Sequence, residues 1–130
     1  MGVKIKNMPP EAKVFVVEDD KNLAATIKAV LKFDGHQVVG MAHTRKSALA
    51  SAETLQSSGV DVVTMDGNLD DPKDTSGNDG RDIVRAIREF SPSVKIVGLS
   101  GTGGVEGADV SLEKSQDVLL NQLGKTVTSL

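Results

Sequence analysis

Cysteine, tryptophan and tyrosine are absent from this 130-residue chain, and three phenylalanines are its entire aromatic content. Without cysteine there is no disulfide, no thiolate nucleophile and no thiolate metal site, a usage that suits a reducing cytoplasm. No run approaches the ~20 apolar residues that a membrane-spanning helix needs. Positive charge is not in excess either. Fifteen Lys and Arg against 18 Asp and Glu leave a formal charge of −3, which gives no electrostatic reason to expect nucleic acid or an anionic membrane as a partner. The start, Met1-Gly2-Val3-Lys4-Ile5-Lys6, lacks the apolar segment of a secretory signal, and Lys6 stands where N-myristoylation wants Ser or Thr. The expectation is a soluble cytoplasmic protein of one domain, long enough for a real core.

What is present is a set of short apolar runs, each ending in a polar residue. Val14-Phe15-Val16-Val17 runs into Glu18-Asp19-Asp20, and Val60-Asp61-Val62-Val63-Thr64-Met65 ends on Asp66. Lys95-Ile96-Val97-Gly98-Leu99 ends on Ser100, and Val110-Ser111-Leu112 is followed closely by Lys114. Between these runs lie segments with helical periodicity. Residues 1–12, with Pro9 and Pro10, read as a flexible leader to a domain over residues 13–130. Strands are predicted at about Lys13–Val17, Gln37–Ala42, Asp61–Met65, Val94–Leu99 and Val110–Leu112. Helices are predicted at about Lys21–Phe33, Arg45–Ser57, Arg81–Phe90 and Gln116–Leu123, the last stopped by Gly124. Alternating βα units with near-continuous Val and Ile runs imply a parallel sheet covered on both faces. The Gly101–Gly107 stretch holds four glycines in seven residues, each costing a helix about 1 kcal/mol relative to alanine, so a loop is expected between strands four and five.

In an open parallel sheet, ligands bind outside the carboxyl ends of the strands, so the acids, Ser100 and Lys114 are expected to converge there. Two carboxylates about 5 Å apart repel by about 3 kcal/mol at an effective dielectric near 20, and a cluster of three must take up protons or a cation. Oxygen-only ligands favour a hard ion, Mg²⁺ in a cell. His36 and His43 are read as lying around strand two, away from the cluster, which argues against zinc. Asp20 is read as the cap of the first helix. Gly98–Val105 lacks the Lys-Ser/Thr ending of a phosphate loop, and Gly101-Thr102-Gly103 lacks the third glycine of a dinucleotide fingerprint. The stretch from Asp66 lacks the glycine and glutamate of a calcium loop.

In order along the chain, these motifs resemble the receiver domains of two-component response regulators, over roughly residues 13–124. The acidic turn Glu18-Asp19-Asp20, the strand ending in Asp66, Asp79-Gly80 with its helix, Leu99-Ser100-Gly101, and Gly107-Ala108-Asp109 with Leu112-Glu113-Lys114 carry it. The resemblance implies a flavodoxin-like α/β fold, a doubly wound five-stranded parallel sheet in the order 2-1-3-4-5, here with helix four replaced by the Gly-rich loop. It implies that Asp66 is the phosphoacceptor and that Glu18, Asp19, Asp66 and the main-chain carbonyl of Asn68 hold Mg²⁺. It implies that Lys114 and Ser100 contact the phosphoryl oxygens, that Gly101 keeps the route open, and that Asn68 and Thr102 tune hydrolysis. The protein would be a phosphoacceptor signalling domain rather than an enzyme. It would be a stand-alone receiver, served by a histidine kinase or histidine phosphotransfer protein and acting on an unknown downstream protein.

The chain departs from that pattern in three places. The polar loop from Gly67 to Asp79 is long, Ser100 and Lys114 are only 14 residues apart, and Ser111 and Ser115 stand where an aromatic residue and a proline are usual. These departures keep a second reading open, a pseudo-receiver that binds protein without phosphorylation. An aspartate-nucleophile phosphatase of the haloacid dehalogenase type fits poorly. It needs its nucleophile after the first strand and an acid two residues on, where this chain has Asn68.

Overall fold

The computed structural model describes residues 11–67, 78–101 and 104–130, with the side chains of residues 78 and 79 excepted. Five parallel strands form one sheet in the order β2-β1-β3-β4-β5. They are β1 (Lys13–Val17), β2 (Gln37–Ala42), β3 (Val62–Asp66), β4 (Lys95–Ser100) and β5 (Val110–Glu113). Helices α1 (Lys21–Phe33), α2 (Arg45–Ala52) and α3 (Asn78–Phe90) alternate with them. A final helix, α4, runs through Gln116–Val118, a π-helical segment Leu119–Leu123, and Gly124–Ser129.

The sheet is buried on both faces because each inner strand offers apolar side chains in both directions. Val62, Val97 and Leu99 pack with Ile27, Leu31, Leu119, Leu123 and Val127 under α1 and α4. Val63, Met65 and Ile96 pack with Ala48, Ala52, Ile83 and Ile87 under α2 and α3. Each fully buried Ile or Leu contributes about 1.5–3 kcal/mol relative to leaving it in water. Asp20 caps α1, its carboxylate accepting from the backbone N–H groups of Asn22 and Leu23, as expected. Thr44 and Ser47 form a reciprocal capping box at the start of α2.

Strands β3 and β4 each reach one residue further than the sequence pattern indicates. Asp66 and Ser100 are therefore themselves ladder residues, opposite Leu99 and Glu113. Helix α2 stops at Ala52 rather than Ser57. The hydroxyls of Thr54 and Ser57 bond to the Ser51 and Thr54 carbonyls, and Gln56 N–H turns aside to Ser91 Oγ. Gly124, expected to end the last helix, lies inside it with helical dihedrals. A Cβ there would overlap the Asp34 carboxylate at the end of α1, so glycine serves close helix packing and not termination. His36 secures the same junction. Its Nδ1 accepts from Ala12 N–H at 3.1 Å, and its Nε2 lies 3.1 Å from the Gly124 carbonyl and 3.0 Å from Thr128 Oγ1. Ala12, placed in the leader by sequence, is thus tied down, its carbonyl also accepting from Gln37 N–H.

The β4–β5 connection contains no helix among its described residues. Val105 takes the packing role instead. It is buried over Gly98, where a Cβ would sit 2.7 Å from the Val105 Cβ. Its backbone N–H donates to Ser111 Oγ at 3.1 Å.

Candidate functional site

The carboxyl ends of β1, β3 and β4 and the residue just past β5 meet at one edge of the sheet. Glu18 leaves β1 with its N–H on the Ala42 carbonyl, which directs its side chain inward, and it is fully buried. Its Oε2 accepts from Asp20 N–H at 3.2 Å. Asp66 ends β3 and is 3% exposed, and Gly67 N–H continues the ladder to the Leu99 carbonyl. Lys114 follows β5 with its N–H on the Ser100 carbonyl at 2.9 Å, which aims the ammonium back over the sheet. The ammonium lies 3.1 Å from Asp66 Oδ1 and 3.1 Å from Glu18 Oε1, and donates to Glu18 Oε2 at 3.2 Å. Carboxylate oxygens of Glu18, Asp19 and Asp66 all fall within 4.8 Å of one another.

Burying two acids against one ammonium perturbs all of them. Burial first, then the neighbouring Asp66, pushes the Glu18 carboxyl up to about 8. Asp66 is also raised, by burial, although Glu18 and Lys114 oppose the shift. Asp19 is partly buried, which alone would raise it, yet hydrogen bonds to Glu18 and Asp66 and the Lys114 charge leave it lowered. For Lys114, burial works against the charge, and the fields of Asp66 and Glu18 outweigh it and raise the ammonium. Among the described residues one ammonium therefore faces three carboxyl groups, an all-oxygen set of candidate ligands. Glu18 Oε1, buried, has its ion pair with the ammonium but no hydrogen bond among the described residues. Such a donor set suits a hard divalent ion, and the oxygens are close enough to share one.

Comparison with known proteins identifies the family and the fold. Residues 14–121 match the response regulator receiver domain. This chain belongs to that family. Among solved structures, the response regulator domain of Thermotoga maritima CheB shares 20% identity at a TM-score of 0.70, covering 93% of this chain and 98% of that one. A response regulator receiver domain protein from Clostridium thermocellum shares 27% identity at a TM-score of 0.66, covering 91% and 94%. A chain in the CheX-CheY-BeF3-Mg²⁺ complex from Borrelia burgdorferi shares 21% identity at a TM-score of 0.67, covering 82% and 80%. No curated protein sequence matches the chain.

In this receiver, the residues singled out by sequence are brought together wherever they are described. Ser100 stands beside the Asp66–Gly67 strand end, its Oγ 3.8 Å from where a Cβ on Gly67 would lie. Gly101 is exposed, and a Cβ there would meet nothing within 4 Å. Asn68 and Thr102 lie outside the described residues, as does most of the long loop after Gly67. Sequence reasoning placed His43 away from the acids, and the structure corrects this. The His43 Nδ1 lies 2.9 Å from the Glu18 carbonyl oxygen, so the imidazole braces the turn that carries Glu18 and Asp19. The strand-end rule could have found it, because His43 directly follows β2. Gly80 was read only as part of a motif. Its N–H donates to the Gly67 carbonyl, and a Cβ there would sit 3.1 Å from the Asp66 carbonyl oxygen. The start of α3 thereby presses directly on the strand end that holds Asp66.

Proposed function

We propose that this receiver accepts a phosphoryl group on Asp66 from a histidine kinase or a histidine phosphotransfer protein in the cytoplasm. The change then alters binding of a downstream protein. The observation that carries the reading is the Lys114 ammonium, held against Asp66 and Glu18 at the edge of an otherwise acidic pocket. In the step itself, an Asp66 carboxylate oxygen forms a bond to phosphorus while the donor's P–N bond breaks. The donor imidazole leaves with the electron pair. The product is an acyl phosphate, and the work asked of the protein is positioning and charge neutralisation.

Glu18, Asp19 and Asp66, with the Asn68 main-chain carbonyl, are the residues that would hold Mg²⁺. The Borrelia complex of the same fold contains Mg²⁺ and BeF3. When bound, the ion offsets negative charge on the transferred oxygens. Lys114 shifts from its carboxylate pairing to a phosphoryl oxygen, and the Ser100 hydroxyl donates to another. Gly101 leaves the approach unobstructed, while Asn68 and Thr102 set the access of hydrolytic water. Once the acyl phosphate forms, the protein moves between two conformations, with Ser100 and the backbone it pulls as the mover.

The deciding experiment is incubation with acetyl phosphate and Mg²⁺ followed by intact-mass measurement. One phosphoryl addition is expected for the native chain and none for Asp66→Asn; undiminished labelling of that variant refutes the reading. A second reading, a phosphorylation-independent binding module, is favoured by one observation. Ser111, at the usual aromatic position, is engaged in holding the β4–β5 loop. Titration with Mg²⁺ separates the two, because no binding near Asp66 in the millimolar range would support the module.

A further inference from the structure

Beside α3, where the β4–β5 connection has no helix among its described residues, a groove of about 350 Å³ runs between α3 and the β4–β5 loop. Its lining is Arg81, Val84, Arg85, Arg88, Glu106 and Gly107. The three arginines fall at i, i+4 and i+7, so they share one helix face and form a cationic row above an apolar floor of Val84. Their commitments differ. Arg88 is fully engaged, donating to the Gly107 carbonyl at 2.9 Å, to Asp109 Oδ2 at 3.1 Å and to the Val94 carbonyl. Among the described residues Arg81 pairs only with Glu106, at 3.9 Å and itself 72% exposed, and its buried Nε finds no acceptor. Arg85 is exposed and forms no ion pair among the described residues, although its charge, like that of Arg81, helps hold the Asp82 carboxyl low.

We propose that this groove docks an acidic segment of a partner protein, with its carboxylates on Arg81 and Arg85 and one aliphatic side chain over Val84. The charge of the row contrasts with the chain's net −3, so an acidic partner is drawn to this face and repelled from the rest. Guanidinium forks pair bidentately with carboxylates, and Glu106 already occupies the rim as an internal, loosely held stand-in. The Arg81 end of the groove adjoins Gly80, whose backbone touches the Asp66 strand end, so the surface is next to the phosphoacceptor site without being part of it. The proposal holds whether or not Asp66 is phosphorylated.

The test is a titration of the ¹⁵N-labelled protein, without phosphodonor, using a short synthetic peptide that alternates aspartate, glutamate and leucine. Saturable shifts are expected at the amides of α3 and Gly107. Arg85→Glu is expected to weaken binding about fivefold, raised salt to weaken it further, and Lys28→Glu on the exposed face of α1 to leave it unchanged. Glu106→Gln, which frees Arg81, is expected to tighten binding about twofold. No saturable shift at low salt, equal affinity for Arg85→Glu, or equal binding of a lysine-for-acid peptide would overturn the proposal. Preferential occupation of the groove by a single-stranded oligonucleotide would overturn it in favour of a nucleic acid.

Discussion

The acidic edge of the sheet and the β4–β5 connection lie side by side, and they are built in opposite ways. The first is made of buried charge: Glu18, Asp66 and Lys114 are fixed by ladder hydrogen bonds at strand ends and by one another. The second is made of small residues, with Val105 resting on Gly98 and tethered to a serine hydroxyl. The proposed phosphotransfer needs a few oxygens and one nitrogen at set distances, and strand ends supply these with little freedom. The neighbouring connection has only to cover the sheet and present a surface, which a loop does as well as a helix. A receiver fold can therefore keep its acidic strand-end cluster while its outward face is rebuilt.

Four measurements sharpen or break that contrast. Lys114→Ala leaves two buried carboxylates without their cation and is expected to cost about 2–3 kcal/mol in urea melts above pH 8, and less near pH 6 where Glu18 holds a proton. Gly98→Val drives a side chain into Val105 and is expected to cost about 2 kcal/mol, with Mg²⁺ affinity nearly unchanged if the two regions are independent. Glu18→Gln removes a buried acid beside Asp66 and is expected to stabilise the chain by about 1–2 kcal/mol without Mg²⁺ at pH 8, while weakening Mg²⁺ binding. Ser111→Ala loses the bond to Val105 N–H and is expected to cost about 1 kcal/mol, leaving acetyl phosphate labelling intact.

The pH dependence has a definite sign. The Glu18 carboxyl is raised from 4.5 to about 8, so the folded protein holds a proton that the unfolded chain releases over that interval. Its contribution to stability is complete below pH 4.5 and is lost as pH rises through 8. In a chelator, the melting temperature is expected to fall across this window. In Mg²⁺ the fall should be smaller, because the ion favours the ionised acid.

Most of the fold was legible because its signals are local. Runs such as Val14–Val17 and Lys95–Leu99 can only be buried strands, and Asp20 sits where a capping residue belongs. Misreadings arose where a side chain acts on something distant in sequence. Thr54 and Ser57 turn the backbone out of α2, a competition that apolar spacing cannot reveal. Gly124 reads as a stop signal until Asp34 is seen against it. At the site, the acids, the serine and the lysine were legible from the strand-end rule applied to four strands, and His43 was missed because the rule was not applied to β2. That the Glu18 carboxyl is pushed so far up was not legible. Its burial depends on the Ala42 carbonyl and on Lys114, 96 residues away.

The wide turn at Leu119–Leu123 has a consequence for how the C-terminal helix tolerates change. A turn closed from i to i+5 accommodates one residue more than the α turns on either side. Leu119, Leu123 and Val127 face the sheet across it, while Leu120 points to solvent at 54% exposure. Excising Leu120 would change the inward set from i, i+4 and i+8 to i, i+3 and i+7, which a regular amphipathic helix also presents on one face. The shortened chain should then fold with Val127 still seated and Thr128 still reaching His36. A one-residue deletion inside a helix, ordinarily ruinous, is here a return to standard geometry.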